Sequence, residues 1–301
     1  MPTTPKEALL IYNPNAGGSA EDQSKQYQQA LEKAGFEPVY RATRTEHDLD
    51  QILPEAKGLV VAVGGDGTLR AVATRLIGKK IPLALVPNGT ANNVGHALGV
   101  MGDPFEVLAG LANPRRQPMD VGRIQAPWGD CFFLEGGGFG LYAESLSRYR
   151  PDNGKSVLRG AATLAEVLLE SPSSCQRIRL DGREEEGPYL LLEAMNTNAV
   201  GPRLGLAPHA KIDDGRLEII RVKESERESY LTYLRALAAD ETPQCESVRS
   251  DSVSQLEFLW NGFPIHHDAE FWQLPEDPNG GLWVTVDVLP AALELWLPEE
   301  R

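Results

Sequence analysis

The first third of the chain alternates short apolar runs with segments of helical periodicity. The apolar runs predict strands at residues 8–12, 39–43, 59–63 and 81–86. Between the last two runs, apolar residues from Leu69 to Ile77 recur at i, i+3, i+4, i+7 and i+8, the spacing of one helix face. This repetition of strand and helix predicts a parallel sheet with helices on both faces.

After Pro118 the pattern changes to more numerous strands. Apolar runs predict strands at residues 131–134, 177–180, 189–195, 217–222, 256–260 and 282–288, and helices at 157–170 and 227–239. Asp181-Gly182 and Asn261-Gly262 are hairpin signals. We therefore predict an α/β nucleotide-binding domain at residues 1–122 and a β-rich substrate domain at 123–301, with a C-terminal segment able to pack back on the first domain.

Charge and cysteine content narrow the function classes. The 301 residues carry a formal net charge of -14, the opposite sign to that of a DNA or RNA binder, so no nucleic acid partner is expected. The three cysteines are far apart and form no CxxC, which argues against a disulfide framework or a zinc knuckle. No signal peptide and no membrane-spanning run is visible, so a cytoplasmic protein is expected.

The strongest chemical signal is Gly64-Gly65-Asp66-Gly67-Thr68, placed between a predicted strand and a predicted helix. Glycines allow close approach of a ligand to the backbone, and the N-terminus of the following helix favours phosphate. An acid beside phosphate needs a Mg²⁺ ion, or a hydroxyl whose proton it accepts. The alternative, in which Asp66 only caps the helix, stays open at this point.

A second glycine turn strengthens the case for a nucleotide site. Pro87-Asn88-Gly89-Thr90 also joins a strand to a helix, and Asn13 to Gly18 follows the first strand. In an open α/β sheet such turns lie together at the carboxyl ends of the strands, where ligands bind. No Walker A motif occurs. Gly138 to Ala143 matches a dinucleotide fingerprint formally, but we interpret it as close backbone approach in a strand.

Three segments resemble the catalytic domain of the diacylglycerol kinase family, which includes bacterial lipid kinases, sphingosine kinases and ceramide kinases. They are IYNPNAGG, VVAVGGDGTLRAV and PLALVPNGTANNVGHALG, and Met119 to Gly122 and Lys211 to Leu217 follow in the family's order. GGDGT alone is shared with NAD kinases, whereas GGDGT followed by PxGTxN is more specific. The resemblance implies a Rossmann-like parallel-sheet domain of the NAD kinase and phosphofructokinase type, followed by a mainly antiparallel β-sandwich domain.

The resemblance also implies cofactors and residue roles. ATP would be held by Asn13, Thr43, Gly64, Gly65, Asp66, Gly67, Thr68, Gly89 and Thr90. Mg²⁺ would be held by Asp214 with the backbone carbonyls of Lys211 and Arg216. The local Asp-Asp-Gly sequence suits a turn that directs oxygens at a hard cation, although a simple Asx turn before a strand remains the alternative.

The family's second catalytic element, Asp-Gly-Glu, corresponds to Asp268-Ala269-Glu270. Either acid would take the proton of the acceptor hydroxyl. Ala269 in place of glycine, and Asn93 where many members have Asp, are departures that put activity in doubt. On an extended backbone Asp268 and Glu270 would share one face, turned toward the glycine turns. The neighbouring histidines 266 and 267 are expected to be exposed on a strand.

The expected function is an ATP- and Mg²⁺-dependent lipid kinase that phosphorylates a hydroxyl of a lipid or lipid-like alcohol, with catalytic residues Asp66, Asp268 and Glu270 and with ATP between the domains. A catalytically impaired nucleotide or lipid sensor, or an NAD-kinase-like enzyme, is the alternative. Basic residues at 148–159 before an apolar helix suggest transient membrane contact, so a peripheral location at the membrane stays open. Monomer and homodimer are both compatible with the sequence.

Overall fold

The computed structural model describes residues 6–13, 23–148, 157–170, 173–201, 203–238, 249–272 and 281–299. The chain divides into two compact units. Unit 1 contains Met1–Met119 and Ala291–Arg301, and unit 2 contains Asp120–Pro290. Ser19 and the glycines at 17 and 18, which belong to the first predicted turn, lie outside the described residues.

Unit 1 is built on a parallel sheet. Its strands are β1 (Lys6–Tyr12), β2 (Phe36–Ala42), β3 (Leu59–Gly64) and β4 (Leu83–Pro87), in the order β4-β3-β1-β2. β1 lies between β2 and β3, with Leu9 opposite both Val39 and Val60. Near the C-terminus, Leu295 adds a parallel pairing to Leu83. The residues of β1, β3 and β4 are almost all buried, as expected for strands covered on both faces, so the predicted parallel sheet is confirmed.

In the described part of unit 1, five α-helices connect or cover these strands. They are α1 (Ser24–Lys33), α2 (Asp48–Ile52), α3 (Asp66–Leu76), α4 (Asn93–Ala97) and α5 (Pro104–Gly110). The side chain of Asp103 caps α5 by accepting the N–H groups of Phe105 at 2.8 Å and Glu106 at 3.2 Å. Gly35, just beyond α1, has φ +88°, the left-handed conformation in which helices commonly end.

Unit 2 is mainly antiparallel. Its strands are β5 (Arg115–Ala126), β6 (Gly129–Phe133), β7 (Gly136–Gly140), β8 (Ser174–Leu180), β9 (Arg183–Met195), β10 (Leu217–Lys223), β11 (Arg249–Val253), β12 (Gln255–Trp260), β13 (Ile265–His267), β14 (Glu270–Phe271) and β15 (Leu282–Leu297). The main path runs β14-β13-β7-β9-β8-β12-β15. β10 pairs with β9 and β11, and β5 pairs with β6.

The two hairpin signals have different outcomes. Asp181 and Gly182 connect β8 to β9 with φ +46° and +82°, so this hairpin is confirmed. The prediction at Asn261-Gly262 is wrong, because β12 pairs with β8 and β15 while the next strand, β13, pairs with β7 and β14. The positive φ of Gly262 turns the chain out of one strand pair and into another.

Gly138 belongs to a strand, as predicted. A Cβ atom there would lie 2.0 Å from the carbonyl oxygen of Leu192 on the neighbouring β9. The glycine run of β7 therefore permits an unusually close approach of backbone to backbone.

The described residues of unit 2 form two hydrophobic clusters and three α-helices. The helices are α6 (Leu141–Arg148), α7 (Val157–Glu170) and α8 (Arg227–Ala238). Leu168 and Leu234 of α7 and α8 join one cluster with Leu191 of β9, and Phe258 and Trp260 belong to the other. Within the described ranges, no helix combines the length and apolar character needed to cross a bilayer.

Candidate active site

The two glycine turns of unit 1 are in direct contact. Gly64, at the end of β3, pairs with Pro87 at the end of β4, and its carbonyl oxygen accepts the N–H of Asn88 at 2.9 Å. A Cβ on Gly89 would lie 2.5 Å from the Cα of Gly65, so Gly89 has no room for a side chain, and a Cβ on Gly65 would be tight at 3.2 Å from Gly89. The structure thus brings the two turns to one place at the carboxyl edge of the sheet.

The edge also holds the other nucleotide-site candidates. Asn13 directly follows β1 and is half-buried, and Thr43 directly follows β2 and is buried. The N–H of Thr43 donates to the carbonyl oxygen of Tyr12 at 3.4 Å. Because all four strands are parallel, these residues lie at the same edge as the glycine turns. The crevice expected of such a sheet lies where the strand order reverses, beside β1.

Asn92 shapes the second turn, a role not seen in the sequence. Its side-chain oxygen accepts the N–H of Gly89 and its amide donates to the carbonyl oxygen of Gly89, both at 2.9 Å. Asn92 has φ +51°, a conformation that asparagine tolerates better than most residues. The asparagine of the GTxN pattern is the signal that would have identified it.

The carboxylate of Asp66, in the first glycine turn, is hydrogen-bonded to backbone that follows the second turn. It is the first residue of α3, yet its carboxylate accepts the N–H of Val94, at 3.3 Å, in the first turn of α4. Burial raises the pKa of Asp66 above the usual carboxyl value, and backbone N–H groups of Asn93 and Val94 act against that rise. Asp66 therefore caps a helix, as the alternative interpretation had it, but it caps the helix of the other turn.

The turns leave one side open. The pocket against the turns measures about 10 Å³, room for about a single water, and it is lined by Ala62, Gly64, Gly65, Asp66, Leu69, Leu85, Pro87, Asn92 and Gly95. Gly67, Gly89 and Thr90 are exposed, and nothing lies within 4 Å of a Cβ built on Gly67. A phosphate group would therefore have to bind on this exposed side.

In unit 2, the predicted metal loop at residues 211–216 is anchored by a buried acid. The carboxylate of Asp120 accepts the N–H of Gly215 at 2.6 Å, and the N–H of Asp120 donates to the carbonyl oxygen of Ile212 at 2.7 Å. Asp214 is exposed and accepts the N–H of Arg216 at 3.0 Å, so the local Asx turn is present. Asp120 thus clamps the loop on both sides of Asp214.

Asp268 and Ala269 form the turn between β13 and β14, which corrects the expectation of an extended backbone. His267 pairs with Glu270 across this turn, and the left-handed conformation, φ +52°, belongs to Asp268. The two acids therefore do not share a strand face. Asp268 is 5% exposed, whereas Glu270 is exposed to solvent.

The carboxylate of Asp268 is bound by three consecutive backbone N–H groups. They belong to Leu134 at 3.1 Å, Glu135 at 2.8 Å and Gly136 at 3.3 Å. The N–H of Asp268 donates in turn to the carbonyl oxygen of Gly136 at 2.7 Å. Such charge-assisted bonds stabilise the anion and fix the turn in place.

The neighbouring histidines are both buried, so the prediction that they are exposed is wrong. His266 is fully buried and His267 is 9% exposed, because β13 is an inner strand between β7 and β14. His266 Nε2 lies 2.7 Å from the carboxylate of Glu193. In the sequence, the glutamate inside the apolar run of β9 is the feature that would have indicated a buried polar pair.

Comparisons with known proteins agree with the family motifs. Residues 7–124 match the diacylglycerol kinase catalytic domain, and residues 152–297 match the YegS C-terminal NAD kinase β-sandwich-like domain. The "Probable lipid kinase YegS-like" of Klebsiella pneumoniae is 28% identical, covering 100% of this chain and 98% of the relative. A relative of the same name from Xanthomonas euvesicatoria is 30% identical over 90% of each chain.

Solved structures share the fold. A diacylglycerol kinase from Bacillus anthracis has a TM-score of 0.70 at 18% identity, covering 98% of both chains. Yeast NADH kinase has a TM-score of 0.56 at 11% identity, covering 98% of this chain and 84% of that one. These structural matches show a mixed α/β fold with a C-terminal β-sandwich. From the sequence matches, the chain belongs to the diacylglycerol kinase catalytic-domain family of lipid kinases.

Proposed function

We propose that this protein transfers the γ-phosphoryl group of ATP to a hydroxyl of a lipid or lipid-like alcohol, in a reaction that depends on Mg²⁺. Membership of the lipid kinase family supports the reaction class. The observation that carries the proposal is the contact between the two glycine turns, with the half-buried carboxylate of Asp66 bound to the N-terminus of α4. This arrangement offers phosphates an exposed, side-chain-free surface beside one acid.

In this proposal the nucleotide binds along the carboxyl edge of the unit 1 sheet. Backbone N–H groups at the start of α3, with Thr68, contact the phosphates, and Gly89 and Thr90 contact them from the second turn. Asn13 and Thr43 bind the nucleotide from the ends of β1 and β2. Asp66 orients the acceptor hydroxyl or the cation that accompanies ATP, and the raised pKa of its carboxyl suits a group that exchanges a proton.

The donor set of the loop at residues 211–216 suits Mg²⁺. Asp214 offers an exposed carboxylate, and Lys211 and Arg216 offer backbone carbonyls, all hard oxygen donors. No group of three His, Cys, Asp or Glu side chains capable of holding a metal occurs in the described part of the chain. Mg²⁺ commonly keeps several waters and needs only one or two carboxylates. We propose that the cation supplies positive charge there while Asp120 holds the loop.

We propose Glu270 as the general base and Asp268 as the anchor of its turn. Asp268 is buried and accepts three N–H groups, so it has little freedom to receive a proton from a substrate. Glu270, two residues on, is exposed at the start of β14. Phe271 beside it is 44% exposed and gives an acyl chain an apolar surface to contact.

A lipid substrate requires transient contact with a membrane, and we propose the edge near α7 for it. Leu169, at the end of α7, is 65% exposed, which is unusual for a large apolar side chain. Of the preceding basic residues, Arg150 and Lys155 lie outside the described residues.

The proposal is tested by incubating the purified protein with labelled ATP, Mg²⁺ and a total lipid extract, beside an Asp66→Ala variant. We expect a labelled lipid with the wild type and a loss of orders of magnitude with Asp66→Ala. ATP binding with no labelled product on any lipid would favour the sensor alternative. If NAD(H) supplied in the same assay were labelled and lipid were not, the NAD-kinase-like alternative would be favoured; yeast NADH kinase shares the fold.

A further inference from the structure

Glu193 and His266 form a buried pair outside the family motifs. Glu193 lies on β9 and His266 on β13, and both side chains are 0% exposed. His266 Nε2 is 2.7 Å from a carboxylate oxygen of Glu193, and His266 Nδ1 is 3.0 Å from the carbonyl oxygen of Asp268. The pair therefore connects the middle of the sheet to the turn that precedes Glu270.

The geometry fixes where the protons are. A carbonyl oxygen can only accept, so Nδ1 of His266 carries a hydrogen and donates it to Asp268. Nε2 and the Glu193 oxygen then share the remaining proton, because two acceptors at 2.7 Å without one would repel. Burial raises the pKa of Glu193. Burial lowers the pKa of His266, but the Glu193 carboxylate and the hydrogen bonds of the ring outweigh it and leave that pKa raised, so both net shifts favour a proton on the pair.

Gly138 and Tyr142 pack closely against the two side chains of the pair. A Cβ on Gly138 would lie 3.0 Å from the Glu193 oxygen, so glycine at this position makes room for the carboxylate. The ring of Tyr142 packs edge-on against His266, with 4.6 Å between the ring centroids. Burying a charge costs several kcal/mol per ion, so the carboxylate depends on its bond to His266 for compensation.

We propose that Glu193, acting through His266, is a positioning residue that holds the Asp268-Ala269 turn and so places Glu270 against the acceptor hydroxyl. The turn is held at both ends: its carboxylate by the N–H groups of residues 134–136, and its carbonyl by His266. The left-handed φ of Asp268 needs such support. This inference rests on the proposed kinase function for its catalytic consequence, but not for its geometry.

The test separates positioning from stability with a double variant, Glu193→Leu with His266→Phe. Replacing both partners of a buried polar pair by apolar groups of similar shape is often neutral or stabilising, so this variant should fold. It cannot donate to the Asp268 carbonyl. We expect kcat to fall by about 10- to 100-fold, the effect of a misplacement near 1 Å, with KM for ATP unchanged within about twofold.

Two further variants serve as controls. Glu193→Gln keeps a donor for His266 Nε2 and the Nδ1–H tautomer, so it should retain kcat within about threefold. Glu185→Gln alters another β9 glutamate that pairs with a buried cation, Arg221, and should leave kcat unchanged. A loss in Glu193→Gln as large as that in the double variant would overturn positioning by hydrogen bonding.

Amide hydrogen exchange gives a readout that needs no activity. The N–H groups of Leu134, Glu135 and Gly136 are bound by the Asp268 carboxylate, so they should exchange faster in the double variant than in the wild type. If these amides exchange faster in the double variant but the wild type shows no kinase activity, the positioning of the turn is supported and the kinase proposal is refuted. Unchanged exchange and unchanged kcat in the folded double variant would overturn the inference.

Discussion

Gly65 and Gly89 meet across the two glycine turns, and the variant Gly89→Ala tests whether this contact builds the nucleotide site. The added Cβ would lie 2.5 Å from Gly65 Cα and 2.9 Å from the side-chain oxygen of Asn92. Carbon atoms in ordinary contact are about 3.5–4.0 Å apart, so the turns must separate by roughly 1 Å. Gly65 is backbone and cannot turn aside, and the Asn92 side chain is held by its two hydrogen bonds to Gly89.

The cost follows from that displacement. Forcing an extra methyl into a packed site costs about 1–3 kcal/mol. The hydrogen bond from Asn88 to Gly64, now 2.9 Å, would stretch beyond hydrogen-bonding distance and lose about 1 kcal/mol more. A sum of about 2–4 kcal/mol corresponds to a melting temperature roughly 4–16 °C lower. Because the phosphate surface moves by a comparable distance, phosphoryl transfer should fall by about 10²-fold.

The assay combines thermal unfolding, calorimetric ATP binding and the labelled-lipid reaction. Gly205→Ala is the matched control, since a Cβ there meets nothing within 4 Å and its φ is not left-handed. The control should behave as the wild type in all three measurements. If Gly89→Ala also melts, binds ATP and turns over like the wild type, then the two turns do not pack as described and the site must be sought elsewhere.

Four further substitutions test single residues. Asp66→Asn should lose activity, and its melting temperature should exceed that of the wild type at about pH 7 and equal it at about pH 3. The raised pKa of Asp66 means that the stabilising contribution of its carboxyl group is complete at low pH and is lost as the pH rises through that pKa. Equal melting temperatures of the two proteins at both pH values would contradict the argument. Glu270→Gln should lower kcat by about 10²–10⁴-fold without changing the melting temperature, whereas Asp268→Asn should lower the melting temperature as well, and the reverse pattern would exchange their roles. Asp214→Ala should raise the Mg²⁺ concentration needed for half-maximal activity, and an unchanged Mg²⁺ dependence would place the cation elsewhere.

Strands and helices with clear apolar periodicity were predictable from the sequence. The helix at Val157–Glu170 has the predicted bounds, and β3 differs from its prediction by one residue. Short or glycine-rich strands gave no such signal. β14 has two residues, too few for any period, and β7 is mostly glycine because the neighbouring backbone occupies the space of its side chains.

The parts of the candidate site formed by turns that follow strands were predictable. The parts formed by buried polar groups from distant positions in the sequence were not. The carboxyl ends of parallel strands necessarily share an edge, so the meeting of Gly65 with Gly89 follows from strand order. The clamp of Asp120 on Gly215 and the pair of Glu193 with His266 join residues far apart in sequence. Such contacts depend on tertiary packing that no local pattern encodes.

Ala269 departs from the Asp-Gly-Glu motif of the family and put activity in doubt. The geometry of the turn removes the reason for that doubt. The family has glycine between the two acids, but here the left-handed conformation lies one residue earlier, at Asp268, with φ +52°. Ala269 itself has no positive φ, so it does not adopt a backbone conformation that favours glycine. Ala269 is exposed, so its methyl group has space. The glycine of the family motif is therefore not required by the backbone of this chain.

Restoring the family sequence with Ala269→Gly should accordingly bring no gain in kcat. It should instead destabilise the protein slightly, by about 0.4–1 kcal/mol, because glycine adds freedom to the unfolded chain and relieves no strain in the folded one. Steady-state kinetics with the labelled lipid and chemical denaturation measure the two effects. A tenfold rise in kcat would mean that Ala269 limits catalysis, and that this chain has moved from kinase toward the sensor alternative. A stability gain would mean that Ala269, and not only Asp268, is strained in the turn.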